Sequence, residues 1–414
     1  MWTKMDVYIQ LNSMSSHIAY MNQGRLSSYV VLCEDEPVEY DIYIGMIGQK
    51  IPGMNAYIVK YKKKKEALLK RKDIPKPLQS HCTEGARIFF QILKPGLNKK
   101  MPLVTMNIQY RSRFLIWIPY ESGIFISKKI PKEIRVQIHK KLQEQKKEGK
   151  GCLVVRTEAK QVSDEVLMAE YLLLKQKWQV HQKRLTAKEA PQRLTNTWER
   201  LENHLLLQNR IPKKIVVNTA KYKKNLANLF PDADLSTYLG KTPLFIYNHI
   251  AEQLEQALKN TVQAESNGVR LIFHETEAAV FIDINSGSSF MEKTVEMAAF
   301  ENNKESIPLL TEQIRLRNLS GVIFIDFINM KKKEHQDEIL RRMRKAFQKE
   351  GKQTEIYGFT ALGFLEMRRT RVQRRLSEIF LESCSTCNGQ GRIFKADKSH
   401  LESDDYSKSM HNKT

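Results

Sequence analysis

Two apolar segments, AAVFIDINSG at 278–287 and GVIFIDFINM at 321–330, each carry one aspartate in the middle of a predicted strand. Side chains alternate along a strand, so Asp283 and Asn285 share one face, and Asp326 opposes its apolar neighbours in the same way. If the two strands are neighbours, the two aspartates converge. A carboxylate inside an apolar run is costly to bury without a positive partner, so we expect two buried aspartates that share a cation.

The residue types at this pair predict a magnesium site. Two carboxylates with an adjacent amide form the incomplete oxygen shell that Mg²⁺ prefers, with water and substrate phosphate as the remaining ligands. Such an ion activates a water and neutralises charge as a phosphodiester is cleaved, and Asn285 would orient Asp283. The alternative interpretation is two structural aspartates at strand ends, which cap helices or bind loop amides. The repeated context and the very basic chain favour the metal.

The composition indicates a polyanionic partner. The chain has 414 residues, 41% of them hydrophobic, and a formal net charge of +22, so a globular protein that binds nucleic acid, or less directly an anionic membrane surface, is expected. No run approaches the ~18 apolar residues of a spanning helix, and the first residues do not have the pattern of a signal peptide. Five sparse cysteines do not form a secreted disulfide framework, which favours a reducing cytoplasm.

A CxxC motif lies near the end of the chain, in CSTCNGQG at 384–391. Cys384 and Cys387 supply two thiolates, whereas a closed structural zinc site needs four ligands. The simplest completion is a second copy of the motif, with zinc shared between two protomers. A single CxxC motif is a weak signal, and the redox alternative needs a thioredoxin-like βαβ context that this sequence does not show.

The first third of the chain has short strand-like segments separated by turn signals, which predict a small barrel or sandwich. It carries the lysine-rich run KYKKKK at 60–65. The run is either a solvated loop or, with Tyr43, Tyr57 and Tyr61 nearby, a basic groove with stacking aromatics for single strands. Both interpretations remain open from the sequence.

The rest of the chain alternates helices and strands. Long charged helices are predicted within 131–210, and an α/β pattern follows over 212–258. After the second aspartate segment, Ile339, Met343 and Phe347 form the apolar stripe of an amphipathic helix. The polar end of the chain is predicted to be disordered.

Four motifs occur in an order and spacing similar to those of the ribonuclease E/G family: FIDINSG, IRLRNLSGVIFIDFINM at 314–330, GFLEMRRTR at 363–371 and CSTCNGQG. They extend along residues 243–392. Earlier in the chain, YIGMIGQKIPGMNAYIV is similar to the family's S1-type OB barrel, and LVVRT to its 5′-end sensor.

The resemblance implies an α+β multidomain fold in which an RNase H-like subdomain is interrupted by inserted domains. The expected domains are an RNase H-like subdomain (1–38 and 196–258), an S1-type OB-fold RNA-binding domain (39–119), a 5′-sensor region (120–195), a DNase I-like catalytic subdomain (259–380), a zinc-link (381–392) and a polar tail (393–414).

At the catalytic site, the resemblance implies that Asp283 and Asp326 bind the catalytic Mg²⁺ and that Asn285 holds Asp283. The activity it implies is Mg²⁺-dependent endonucleolytic cleavage of single-stranded, AU-rich RNA. The protein would act in messenger RNA decay and in ribosomal or transfer RNA processing in the bacterial cytoplasm. The alternative is a non-catalytic RNA-binding paralogue of the same fold.

At the other sites, the resemblance implies that Cys384 and Cys387 give half of a zinc link in a homodimer or higher oligomer. Arg156 and Thr157 would grip the 5′-monophosphate of the RNA, and Tyr57 would stack on a base. Two departures from the family's pattern lie in this phosphate pocket: EAKQVS follows VVRT, and a glycine pair is replaced at residues 124–125. The sequence therefore leaves open whether 5′-end sensing is retained.

Overall fold

The structure is a computed structural model that describes residues 5–62, 64–96, 100–145, 151–186, 189–208, 211–264, 268–286 and 294–387, with 389 and 391. The predicted polar tail lies outside the described residues. The strands within the described residues are β1 Met5–Leu11, β2 Ser15–Asn22, β3 Arg25–Cys33, β4 Ile42–Ile51, β5 Ala56–Lys62, β6 Lys65–Lys70, β7 Arg87–Lys94, β8 Leu103–Thr105, β9 Tyr110–Arg111, β10 Leu115–Ile118, β11 Ser122–Ile126, β12 Gly151–Val155, β13 Gln192–Arg193, β14 Pro212–Val217, β15 Asp234–Thr237, β16 Thr261–Gln263, β17 Arg270–Glu275, β18 Ala279–Asn285, β19 Gly321–Asp326, β20 Thr354–Phe359 and β21 Phe364–Arg369.

The α-helices of the same residues are α1 Lys132–Gln145, α2 Asp164–Thr186, α3 Thr197–Leu207, α4 Lys223–Leu229, α5 Leu244–Tyr247, α6 Ile250–Leu258, α7 Val295–Leu316, α8 Lys333–Phe347 and α9 Leu376–Phe380. Together with the sheets they give a mixed α+β fold, as predicted. None of these helices is long and apolar enough to cross a bilayer.

The first sheet joins two distant parts of the chain in the order β15-β14-β1-β2-β3. Strand β1 pairs in parallel with β14, so that Val7 lies opposite Ile215. Helices α3 and α4 pack on one face, and α5 and α6 pack on the other. Helix α3 begins at a capping box in which Asn196 and Glu199 satisfy each other's backbone amides.

The second sheet closes into the predicted small barrel. Its five strands run β4-β5-β6-β8-β7, and β7 pairs back onto β4, giving an OB-like barrel. Gly45 is required on β4 because a Cβ there would lie 2.6 Å from the Phe90 ring. Strand β13 adds to the outside of β4 and leads towards α3.

Two of the tyrosines near the lysine-rich run form the barrel core. Tyr43 and Tyr61 are both buried, and their rings lie 4.9 Å apart against Phe90. These two rings are therefore not available as stacking aromatics of a basic groove, because strand alternation turns them inward, where the closed barrel excludes solvent. Within the lysine-rich run, Lys62 at the end of β5 pairs with Lys65 at the start of β6, and Lys65 donates a 2.7 Å hydrogen bond to the backbone oxygen of Asp35.

A buried ion pair fixes the barrel against α3. The Arg200 guanidinium lies 3.1 Å from the Asp41 carboxylate, and both side chains are buried. Asp41 also accepts a hydrogen bond from Thr195. These contacts hold the inserted barrel in place relative to the first sheet.

The third sheet has the order β11-β12-β10-β9, and the long helix α2 packs between it and the barrel. The fourth sheet has the order β16-β17-β18-β19-β21-β20 and carries both aspartate segments. Helices α7 and α8 cover one face of this sheet. The predicted stripe of Ile339, Met343 and Phe347 is confirmed, since all three side chains are buried against it.

Candidate active site

The two predicted aspartates lie next to each other in the fourth sheet. Strands β18 and β19 are parallel neighbours, and their register places Asp283 directly opposite Asp326. Adjacent strands lie about 4.8 Å apart, and residues in register project from the same face. The sequence-predicted convergence of these carboxylates is therefore present in the fold.

The expectation that these carboxylates are buried was wrong. The apolar neighbours Ile282 and Ile325 are buried under α7 and α8, whereas Asp283 is half-buried and Asp326 is exposed. Among the described residues, the helices that pack on this sheet cover one face, and strand alternation places both carboxylates on the other face. The fold therefore does not need a cation to tolerate them, and a metal here would serve chemistry instead.

Negative charge nevertheless accumulates at the pair. Partial loss of water around the carboxylate and, next in size, the charge of Asp283 raise the pKa of Asp326. The side-chain amide of Asn285 donates a 2.8 Å hydrogen bond to Oδ2 of Asp283. This bond fixes the orientation of one carboxylate beside the other, as the alternation of the strand predicted.

Sequence reasoning missed Asn303, which holds the chain just after Asp326. Asn303 is fully buried on α7, donates a 2.7 Å hydrogen bond to the Ile328 carbonyl and accepts one of 3.0 Å from the Ile328 amide. The available signal was a polar residue on the apolar stripe of α7, four residues from both Ala299 and Ile307.

Glu296, at the start of α7, was also missed. Its carboxylate accepts hydrogen bonds from the backbone amides of Lys331 (2.8 Å) and Lys332 (3.1 Å) and lies 2.8 Å from Nδ1 of His335. The Lys331 amide is the main cause that holds the pKa of Glu296 below its usual range. The segment between β19 and α8 is therefore held at two points, by Asn303 at Ile328 and by Glu296 at Lys331 and Lys332.

The described residues contain no group of three or more His, Cys, Asp or Glu side chains arranged to hold a metal ion. An ion at the aspartate pair would thus have two protein carboxylates and would take its other ligands from water and substrate. This open arrangement is the one that hard cations with phosphate substrates use.

Comparison with known proteins decides the family. The model of the ribonuclease E/G family matches residues 110–372. The chain belongs to the ribonuclease E/G family. Ribonuclease G of Escherichia coli (strain K12) is 26% identical over 419 residues, which cover 94% of this chain and 84% of that protein.

Two further relatives agree with this assignment. Ribonuclease G of Haemophilus influenzae is 29% identical over 381 residues, which cover 85% of this chain and 76% of that protein. Ribonuclease E of Nostoc sp. is 26% identical over 375 residues, which cover 86% of this chain and 54% of that protein. The resemblance found from four sequence motifs is thereby confirmed.

The ribonuclease E/G motif GFLEMRRTR leads into an arginine-rich segment that binds the protein's own chain. Arg369 contacts Glu350 at 3.0 Å and the Leu319 carbonyl at 2.9 Å. Arg374 contacts Glu36 at 2.7 Å, and Arg375 donates a 2.9 Å bond to the Ser320 carbonyl. These arginines join sheets and helices, a role that their sequence spacing did not reveal.

The residues that the family resemblance placed in a 5′-sensor lie on a different sheet from the carboxylates. Arg156 follows β12, and its guanidinium donates 3.1 Å hydrogen bonds to the carbonyls of Ser112 and Leu206. The Thr157 hydroxyl lies 2.8 Å from that of Ser127. The two residues are adjacent, and Arg156 is held by its own chain.

The remaining predicted residues are also separate from the carboxylate pair. Tyr57 lies half-buried on β5 at the barrel surface. Cys384 is exposed and Cys387 is half-buried in a turn, where Cys387 Sγ accepts a 3.3 Å hydrogen bond from the Gly391 amide. Hydrogen bonds, foremost that from the Cys387 amide, lower the pKa of the Cys384 thiol.

Proposed function

We propose that this chain is a Mg²⁺-dependent endoribonuclease that hydrolyses phosphodiester bonds in single-stranded, AU-rich RNA. It would act in RNA processing and messenger RNA decay in the bacterial cytoplasm. The observation that carries the proposal is the register of Asp283 with Asp326 on the open face of the fourth sheet. The family assignment and relatives named ribonuclease G and ribonuclease E support it.

The chemistry of the donor set fits a magnesium ion. Asp283 and Asp326 would hold Mg²⁺ from one side, because both carboxylates face the same open surface and each lies beside the charge of the other. The bound ion would ionise a water for attack and neutralise charge at the scissile phosphate. Asn285 keeps Asp283 oriented through its 2.8 Å hydrogen bond, and Asn303 fixes the backbone that follows Asp326.

We further infer the domain boundaries and domain functions that the family resemblance implies. Residues 1–38 with 196–258 would form the RNase H-like subdomain, 39–119 the S1-type RNA-binding domain, and 259–380 the DNase I-like catalytic subdomain. The grouping of the first sheet, the closed barrel and the fourth sheet supports these limits. On the barrel, Tyr57 would stack on a base of the RNA.

The region 120–195 would sense the RNA 5′ end through Arg156 and Thr157. The Arg156 guanidinium has five N–H donors and gives two of them to the carbonyls of Ser112 and Leu206, so its other donors would bind the phosphate oxygens. The zinc-link at 381–392 would join two chains, with Cys384 and Cys387 of each giving half of a four-thiolate site.

The decisive experiment compares cleavage of a 5′-monophosphorylated, AU-rich single-stranded RNA by wild type, Asp283→Asn and Asp326→Asn. Mg²⁺-dependent cleavage that both substitutions abolish, with folding and RNA binding retained, establishes the nuclease and its two ligands. If wild type binds the RNA and cuts none of it with Mg²⁺ or Mn²⁺, the protein is a non-catalytic RNA-binding paralogue.

A further inference from the structure

A stacked pair of phenylalanines lies beside the two aspartates on the open face of the fourth sheet. Phe281 on β18 is opposite Phe324 on β19, and their rings stack with centroids 5.3 Å apart and planes 19° from parallel. Phe281 is 41% exposed to solvent, and Phe324 is half-buried beside it. A pair of large apolar side chains that reaches solvent is typical of interaction surfaces.

The register places this pair one step away from the carboxylates. Phe281 precedes Asp283 by two residues, and Phe324 precedes Asp326 by two, so all four side chains share one face. Two residues of a strand span about 6.6 Å. A ligand chain that reaches the carboxylates therefore passes within contact distance of the rings.

The pair has a third aromatic ring beside it and arginines on the same face. Phe364 on β21 packs edge-on against Phe324 at 6.4 Å, which supports that ring from the side. The exposed His274 lies opposite Phe281, and the half-buried Glu366 lies opposite Phe324. The exposed Arg368, opposite Val322, and Arg270, opposite Asn285, lie further along the same face. A flat apolar platform with arginines along the same face is complementary to a base and its flanking phosphates.

The ordinary explanation of such a pair is cross-strand stabilisation of the sheet. That role is compatible with a second one, because the core of this sheet lies on the opposite face, under α7 and α8, and Phe281 remains exposed to solvent. A second protein copy is a poor occupant, since a partner covering Phe281 would also cover Asp283 two residues along the same face. A single strand of RNA leaves the site on product release and meets no such conflict.

We propose that Phe281 and Phe324 form a stacking platform for the base of a nucleotide next to the scissile phosphate. This inference rests on the proposed ribonuclease function and adds to it a source of single-strand selectivity. A base reaches the flat sheet face only when it is unpaired and turned out of a helix. Phe281 and Phe324 are thus positioning residues, because they place the phosphate by holding its neighbouring base.

The test is a coupling measurement between one ring and one base. Single-turnover cleavage is measured on an RNA with one cleavage site and on copies that each carry an abasic nucleotide within three positions of that site. Wild type, Phe281→Leu, Phe324→Leu and Phe281→Trp are compared. Tyr247→Ala is the matched control, since it removes an exposed aromatic side chain on α5, a helix that packs against the first sheet.

We expect one abasic position to slow wild type by about 5- to 100-fold, the effect of losing one base–aromatic stack. Phe281→Leu slows cleavage of the intact RNA to a similar extent and becomes insensitive to that abasic position, whereas Phe281→Trp behaves as wild type. If the leucine variants and the abasic sites act additively at every position, or the leucine variants cleave normally, the platform is wrong.

Equilibrium binding of the same RNAs in Mg²⁺-free buffer separates this inference from the proposed function. If the Phe281→Leu substitution and one abasic position are coupled in RNA binding but wild type cleaves no RNA, the two rings stack on a base and the proposed nuclease function is wrong. If wild type cleaves the RNA and no such coupling is found, the nuclease function is supported and the stacking platform is wrong. Sedimentation completes the test: if Phe281→Leu dissociates an oligomer and leaves RNA binding unchanged, the face is a protein interface and the platform is wrong.

Discussion

The buried side chain of Asn303 makes two hydrogen bonds with the backbone of Ile328, two residues beyond Asp326. Helix α7, which covers one face of the fourth sheet, thereby fixes the backbone that follows Asp326 at the end of β19. We predict that Asn303→Leu leaves two buried polar groups unpaired and destabilises the protein by about 1–3 kcal/mol per group. It should also lower the rate of Mg²⁺-dependent cleavage more than it lowers RNA affinity.

Denaturant unfolding and single-turnover cleavage check this prediction. The matched control is Asn302→Ala, the neighbouring and partly exposed asparagine on α7, where alanine favours the helix. Equal losses of stability and activity in both variants would contradict a specific role of Asn303.

Removing one carboxylate of the pair should stabilise the metal-free protein. The pKa of Asp326 is raised by lost hydration and by the charge of Asp283, so its ionised form is less favourable in the folded protein than in the unfolded chain. We expect Asp326→Asn to gain at most about 1 kcal/mol in EDTA, the scale of exposed charge pairs. Added Mg²⁺ should raise the melting temperature of wild type and leave that of the variant unchanged.

Thermal unfolding with EDTA and with Mg²⁺ measures both effects. Asp337→Asn, an exposed aspartate on α8, controls for a general loss of negative charge. A metal-free Asp326→Asn protein that is less stable than wild type would show that the two carboxylates do not repel each other.

Glu350 should make the stability of the fourth sheet sensitive to acid. Burial alone would raise its pKa, but the Arg369 charge and hydrogen bonds from Arg315 and Thr354 hold the pKa of Glu350 below its usual range. Its stabilisation is therefore fully present above the unfolded glutamate pKa of about 4.3 and is lost as the pH falls through the lower folded pKa.

Glu350→Gln tests this dependence through the free energy of unfolding as a function of pH. We expect the variant to be about 1–3 kcal/mol less stable near pH 7, with a difference that shrinks below about pH 4. A difference that stays constant down to the acid limit would mean that ionisation of Glu350 contributes nothing.

Zinc should hold two chains together. The two thiolates of Cys384 and Cys387 complete a tetrahedral site only with a second pair, so we expect about one zinc per two chains. Cys384→Ser or a strong chelator should convert the dimer to monomer. Metal analysis with sedimentation velocity measures this, and Cys33→Ser, a free cysteine on β3, is the control. A zinc-free dimer would place the interface elsewhere.

The alternation rule predicted which side chains share a face at the aspartate pair, but it did not tell which face is covered. Phe281 and Val322 point outward with the aspartates, so a segment that reads as apolar throughout is buried on one side only. The contact of Asn303 with Ile328 could not be predicted from the sequence for a different reason. Its partner is backbone, and a backbone group has no residue type to recognise.

The barrel shows the same limit. Turn signals and period-two spacing predicted a small barrel or sandwich and left open whether Tyr43 and Tyr61 face RNA; the structure has a closed barrel with both rings buried inside it. Which side of a strand faces the interior depends on how the sheet closes, and β7 pairs with β4 across an interval of sequence that has no marker of its own.

The pairing of the N-terminal strand β1 with the distant strand β14 also limits the order in which this protein can fold during synthesis. The Leu11 amide binds the side chain of Asn218, 207 residues later, and β1 pairs with β14. The barrel needs only nearby strands, so it can fold while translation continues. Strand β1 can pair with β14 only after the chain up to Val217 has been synthesised.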